Sequence, residues 1–102
     1  MSPINRKKLN ILRKRLDLLD NKLLDIIKKR ENLVSNVLYL KKNRSEIVDK
    51  KRIKEILKNI KKKSIKKKID TKITNKIWKN MINSFIEYER RNFKKYLFAV
   101  RW

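Results

Sequence analysis

The chain has 102 residues, of which 32 are lysine or arginine and 10 are aspartate or glutamate, giving a formal charge of +22 at pH 7. Cysteine and histidine are absent, which excludes disulfides, thiolate nucleophiles, imidazole acid–base chemistry and the usual zinc ligand sets. No apolar run reaches the roughly 20 residues of a membrane span, and the N-terminus lacks a signal-peptide hydrophobic region. We therefore expect a cytoplasmic protein without metal, cofactor or membrane contact.

The turn-forming residues are almost missing, because glycine is absent and the single proline, Pro3, lies at the N-terminus. Turns that need a positive φ consequently have few suitable residues, and long helices are favoured. A chain this short buries a small share of its surface, so dimerisation is a common way to complete its core. We predict an all-α fold of three helices, one long and two shorter, in a single domain over residues 1–102 with its core at about 9–95.

The first predicted helix covers residues 5–42, where apolar residues recur at intervals of three and four, the spacing typical of an amphipathic helix. Such a helix would be about 57 Å long, which exceeds the width of a compact domain of this size. We therefore predict an intertwined helical homodimer in which a second copy packs along a leucine seam. The seam consists of Leu9, Leu12, Leu16, Leu19 and Leu23.

Two further helices are predicted after a short loop at 43–48. The second begins at about Asp49, and its apolar pattern is lost in the lysine run KKKSIKKKID. We interpret this run as a solvated helix end or loop. The third begins after Asp70 and Thr71, which are good capping residues. We expect it to fray after Lys95, and the sequence leaves the order of the tail, residues 96–102, open.

Three charged residues interrupt the apolar faces of these helices. Arg30 follows Ile26 by four positions and precedes Val34 by four, and Lys41 lies eleven residues beyond Arg30, within about 20° of the same helix face. Glu89 lies four residues after Phe85 on the apolar face of the third helix. Buried charges need partners, so these positions predict either internal ion pairs or a site for a charged ligand.

Arg13 lies about 100° around the first helix from Arg30 and roughly 25 Å from it along the axis. It does not easily serve the same pocket in one chain, but in an antiparallel dimer it could reach the partner's site. The alternative is ordinary ion pairing of Arg30 or Lys41 with Glu89, and of Arg13 with Asp17 or Asp20. The excess of inward cations over inward anions favours an anion-binding cavity.

Three segments resemble the all-α chorismate mutase family, bacterial monofunctional type. LRKRLDLLDNKLLDIIKKRENLV, residues 12–34, is similar to the family's first helix, with its Leu-Arg start and closing Arg30. VDKKRIKEIL, residues 48–57, resembles the entry to the second helix, and IWKNMINSFIEYERRNF, residues 77–93, resembles the third. The resemblance covers roughly residues 9–95 in matching order and spacing.

The resemblance implies a chorismate mutase, an isomerase of phenylalanine and tyrosine biosynthesis whose substrate is chorismate. It implies that Arg13 enters the site from the partner protomer, and that the arginines hold the two substrate carboxylates. Lys41 and Glu89 would contact the ether oxygen, with Arg30 as the third catalytic residue, and Asp49 would lie beside the ring hydroxyl. The remaining substrate-binding positions implied in this way are Arg52, Ile53 and Phe85.

Two positions depart from the family's better-known pattern. Ile53 stands where a glutamate that contacts the ring hydroxyl is common, and Phe85 where a serine is common. A related branch that cleaves isochorismate to salicylate and pyruvate also carries apolar or aromatic residues at such places. Isochorismate pyruvate lyase activity is therefore the alternative reading within the same fold.

A basic helical module that binds nucleic acid is the alternative from another class, because a charge of +22 ordinarily makes nucleic acid the first partner to consider. Most of the excess is lysine accompanied by isoleucine and asparagine, a pattern that biased genome composition produces without selection for binding. Tyr39 is the only aromatic residue between positions 1 and 77, so no base-stacking platform is evident there. The sequence therefore does not lead us to expect nucleic acid as the partner.

Overall fold

The structure is a computed structural model that describes the backbone of residues 1–101 and the side chains of residues 1–93. Over this range the protein is helical and contains no strand, which confirms the predicted all-α class and its three helices. The third helix continues to Arg101, so the expected fraying after Lys95 is wrong; the side-chain docking of the C-terminal tail lies outside the described residues. The elements in chain order are α1 (Pro3–Leu40), a 3₁₀ turn (Arg44–Glu46), α2 (Lys50–Lys66) and α3 (Thr71–Arg101).

The chain divides into two compact units, Met1–Leu33 and Val34–Trp102. The first unit is the N-terminal part of α1. The second contains the last residues of α1, the 3₁₀ turn, α2 and α3. None of the helices, over the residues described, has an apolar stretch long enough to cross a lipid bilayer.

The first unit begins with a helix cap and exposes its apolar stripe. Ser2 accepts a hydrogen bond from the Asn5 backbone N–H at 3.1 Å, and Pro3 occupies the first helical position, where its missing N–H costs nothing. Most of the predicted leucine seam is exposed in the single chain, with Leu12, Leu16, Leu19 and Leu23 between 53% and 58% accessible. The first unit alone therefore has nothing that covers this stripe.

The second unit has a small core at the junction of α1, the loop and α3. Leu38, near the end of α1, is 1% exposed and packs with Ile47 from the loop and Phe93 from α3, and Val48 and Ile86 lie against them. The guanidinium carbon of Arg44 lies 5.5 Å from the centre of the Phe93 ring, so a cation–π contact covers this core from the loop side. These contacts fix the loop that leads into α2.

Helix α2 extends to Lys66 and ends within the lysine run of residues 61–70, whose lysines are exposed, which confirms the interpretation of this run as a solvated helix end. Asp49 caps its start by accepting a hydrogen bond from the Arg52 backbone N–H at 3.0 Å. Near its end the buried Ser64 hydroxyl contacts the Ile60 carbonyl oxygen at 2.6 Å and the Thr74 hydroxyl of α3 at 2.8 Å. This pairing of small polar side chains joins α2 to α3 and keeps the lysine-rich segment helical to Lys66.

A Schellman motif connects α2 to α3 without glycine. Lys68 adopts the left-handed conformation with φ of 58°, which is unfavourable for a residue with a Cβ by about 1 kcal/mol. Its N–H bonds to the Ile65 carbonyl at 3.1 Å, and the Ile69 N–H bonds to the Ser64 carbonyl at 2.9 Å, the two bonds that define the motif. Asp70 then caps α3 as predicted, because its side chain accepts from the Lys72 N–H at 2.8 Å.

Candidate active site

An ion pair between Lys41 and Glu89 lies next to the core of the second unit. Lys41 directly follows α1, and Glu89 lies four residues before the buried Phe93 on α3. The Lys41 Nζ donates to Glu89 Oε1 at 2.8 Å, and the two side chains are 18% and 8% exposed. The predicted inward position of both residues is confirmed, and so is the alternative that pairs Lys41 with Glu89.

The Lys41 ammonium makes a second, longer contact. Its Nζ lies 3.5 Å from the Ile47 carbonyl oxygen, on the loop residue that packs in the core. An ammonium has three N–H donors, so these two contacts leave one donor for a ligand. Removal of one member of a nearly buried ion pair leaves the other charge uncompensated. The loss of either Lys41 or Glu89 alone should therefore lower the free energy of unfolding.

A polar pair that the sequence did not predict lies on the same helices. The Ser35 and Tyr88 hydroxyl oxygens share a hydrogen bond at 2.7 Å, connecting the end of α1 to α3 within the second unit. The rings of Phe85 and Tyr88 meet edge to face, with centroids 6.4 Å apart at an angle of 80°. Tyr88 directly precedes Glu89, so these contacts fix the turn of α3 that carries the carboxylate.

The predicted residues at the start of α2 are placed on the surface of the second unit. Asp49 is exposed and its carboxylate serves as the helix cap. The guanidinium of Arg52 donates to Glu55 at 2.7 Å in an ion pair whose side chains are 60% and 55% exposed, whereas Ile53 is partly buried. Thus Asp49 and Arg52 are engaged with their own helix in this structure.

Among the described residues, the second unit contains a cavity at the start of α2 and another along its middle that can be compared with the predicted site. One of about 540 Å³ lies at the loop and the start of α2, where its lining includes Asp49. The other, of about 440 Å³, lies between α2 and α3 and is lined by residues that the sequence did not single out. They are Leu57, Lys58, Lys61, Thr71, Thr74 and Asn75. Among the described residues no group of three or more acidic, histidine or cysteine side chains could hold a metal ion.

The two other predicted cations belong to the first unit. Arg13 is exposed and Arg30 is partly buried on α1, which agrees with the inward position that periodicity gave Arg30. Phe85, in the second unit, is partly buried as well. The meeting of Arg13 and Arg30 with Lys41 and Glu89 around one substrate therefore stays a prediction.

Comparison with known proteins decides the family. The family model for chorismate mutase type II matches residues 12–90, well over half of the chain. The chain belongs to the chorismate mutase type II family. Its all-α architecture agrees with that membership, which supports chorismate mutase activity, an isomerase reaction, in general terms. No curated protein sequence and no solved structure matched the chain significantly.

Proposed function

We propose that this member of the chorismate mutase type II family rearranges chorismate to prephenate, the committed step toward phenylalanine and tyrosine. The observation that carries the proposal is the nearly buried Lys41–Glu89 pair on a chain that matches the family over residues 12–90. The reaction is a pericyclic rearrangement, in which the ether C–O bond breaks while a new C–C bond forms. It needs no covalent intermediate and therefore no nucleophile.

The protein would accelerate this reaction in two ways. It holds the substrate in the compact conformer in which the reacting carbon atoms are close, which is an orientation effect. It also stabilises the negative charge that develops on the ether oxygen as its bond to carbon breaks. Lys41 supplies the third N–H of its ammonium to this oxygen while Glu89 and the Ile47 carbonyl hold the group in position.

The substrate's two carboxylates require cationic partners. Arg30 of the same protomer and Arg13 of the partner protomer are assigned to them, since a guanidinium presents paired N–H donors that match a carboxylate. Arg52 can bind a substrate carboxylate only after its exposed ion pair with Glu55 is broken. Breaking that pair costs little free energy, because exposed pairs of this kind contribute about 0–1 kcal/mol.

The same proposal includes a homodimer that covers the leucine seam. Because the exposed seam leucines are between 53% and 58% accessible, burying the rest of each side chain gains about half of the roughly 1.5–3 kcal/mol of full burial. Their three- and four-residue spacing suits a second long helix of the same kind. A second copy of the chain is the occupant that supplies such a helix. It also brings its own Arg13, which lies one position after the seam residue Leu12.

The apolar positions Ile53 and Phe85 decide between two substrates. Both side chains are partly buried, and Phe85 packs against Tyr88, so the end of the site assigned to the ring hydroxyl lacks the glutamate and the serine of the family's better-known pattern. This observation favours isochorismate pyruvate lyase activity as the second candidate. Chorismate remains the first, because the family match names chorismate mutase.

An assay of the purified protein with each substrate tests the proposal. We expect loss of chorismate absorbance with a product of unchanged mass, and little salicylate or pyruvate from isochorismate. The Lys61, Lys62 and Lys63→Gln triple variant should keep this activity, because these lysines are exposed on α2. Salicylate formation as the faster reaction would replace the mutase by the lyase, and turnover of neither substrate would contradict both.

Two substitutions of Glu89 test its role in holding Lys41. Glu89 Oε1 accepts a hydrogen bond from the Lys41 Nζ at 2.8 Å, and an amide oxygen can also accept one, whereas alanine cannot. We therefore expect Glu89→Ala to lower kcat/KM more than Glu89→Gln does. Equal kcat/KM in the two variants would remove Glu89 from this role.

A further inference from the structure

The surface of α2 has an extreme excess of positive charge. Its 17 residues include eight lysines and one arginine but a single acid, Glu55. Every one of these lysines is exposed. The charge therefore lies on the solvent-accessible surface of the helix.

The lysines of α2 form a continuous line. Four of them, Lys51, Lys58, Lys62 and Lys66, are separated by seven, four and four positions. At 100° per residue they fall within an arc of about 80°, and they extend over about 22 Å of the helix axis. The opposite side of α2 carries the partly buried apolar residues and the buried Ser64, so the lysine line points outward.

This charge has no acid to neutralise it within the described residues. Glu55 binds the Arg52 guanidinium, and over residues 1–93 no ion pair involves a lysine of α2. Lys67 and Lys68 extend the basic surface into the turn, where Asp70 is occupied as the cap of α3. Mutual repulsion of these ammonium groups is relieved only by counterions or by a polyanionic partner.

We propose that the outer face of α2 is a second binding surface, which takes the phosphate backbone of nucleic acid without reading its sequence. A line of unpaired lysines along a helix complements a line of phosphates, and its binding gains the entropy of released counterions. Lysine-only contacts position a backbone but do not discriminate bases. The sequence alone did not favour this partner; the outward, acid-poor line on a folded helix is what the structure adds.

A nucleic-acid backbone fits this face better than an anionic membrane does. A helix that lies on a bilayer buries an apolar face in the lipid. On α2 the apolar positions Ile53, Ile56, Leu57 and Ile60 are partly buried within the folded unit, and Ile65 is the one exposed apolar side chain. The face that is available to a partner is therefore almost purely cationic.

The test measures binding of the full-length protein to a fluorescent 20-base-pair duplex at several salt concentrations. Lys58, Lys62 and Lys66→Gln should lower the slope of log Kobs against log [salt] by about three, since each phosphate contact contributes about 0.9. The matched control Lys7, Lys14 and Lys22→Gln removes the same charge from exposed positions of α1 and should change the slope by less than about one. Circular dichroism verifies that both variants remain helical.

Two results would overturn the proposal. Equal losses of slope in the two triple variants would mean that the duplex responds to net charge and not to the α2 face. Tighter, Lys58-dependent binding to vesicles with 30% anionic lipid than to the duplex would assign the face to a membrane surface. A second, unrelated duplex sequence should bind with the same affinity and slope, and a strong preference between the two would contradict backbone binding.

Discussion

Replacement of Lys41 with methionine is expected to lower kcat/KM for chorismate by about 10²- to 10³-fold, the usual effect of removing one preorganised donor at a developing negative charge. Methionine keeps most of the length of the side chain but cannot donate to the ether oxygen. The loss should appear in kcat, because the hydrogen bond strengthens as the ether bond breaks and contributes less to ground-state binding. Steady-state kinetics of the folded variant measures it.

Stability needs a separate control, because Lys41→Met also leaves the nearly buried Glu89 carboxylate without its ammonium. That loss is expected to reduce the free energy of unfolding by about 3 kcal/mol. The double variant Lys41→Met, Glu89→Gln removes the uncompensated charge and should recover most of this stability. Its activity should stay low, and recovery of activity together with stability would show that Lys41 is purely structural.

The extent of α1 and the start of α3 were predictable, whereas the end of α2 was not. A long, uninterrupted apolar periodicity predicted a helix over residues 5–42, and α1 covers Pro3–Leu40. Asp70 correctly indicated the beginning of α3. The end of α2 depends on Ser64, which is buried and bonded to Thr74. Serine and threonine look like surface residues in a hydrophobicity pattern, so the pattern did not locate the end of the helix within the lysine run.

Candidate site residues were predictable to the extent that helical periodicity reports orientation. Lys41 and Glu89 were each expected to face inward, and both do. Their contact joins residues 48 positions apart, so it depends on how α1 and α3 pack. Periodicity alone therefore did not decide between this ion pair and a site for a charged ligand. The Ser35–Tyr88 pair was missed for the same reason, because neither hydroxyl has a distinctive spacing along its own helix.

The roles of Arg13 and Arg30 depend on a second chain, so they are best tested by mixing defective protomers. Arg13→Ala and Arg30→Ala should each be nearly inactive as homodimers, because each removes a carboxylate partner from every site. In a mixed dimer, the Arg13→Ala protomer keeps its own Arg30 and receives an intact Arg13 from its partner. One of the two sites is then complete, and the other lacks both arginines.

Co-refolding equal amounts of the two variants should therefore restore roughly a quarter of wild-type activity, since half of randomly paired dimers are mixed and each has one complete site. The control mixes Arg30→Ala with Lys41→Ala. Both residues are assigned to the same protomer's site, so each mixed dimer has one site without Arg30 and one without Lys41, and activity should stay low. Recovery in both mixtures, or in neither, would reject a site that two chains share through Arg13. Recovery in the first mixture alone would establish that each substrate site combines Arg30 of one protomer with Arg13 of its partner.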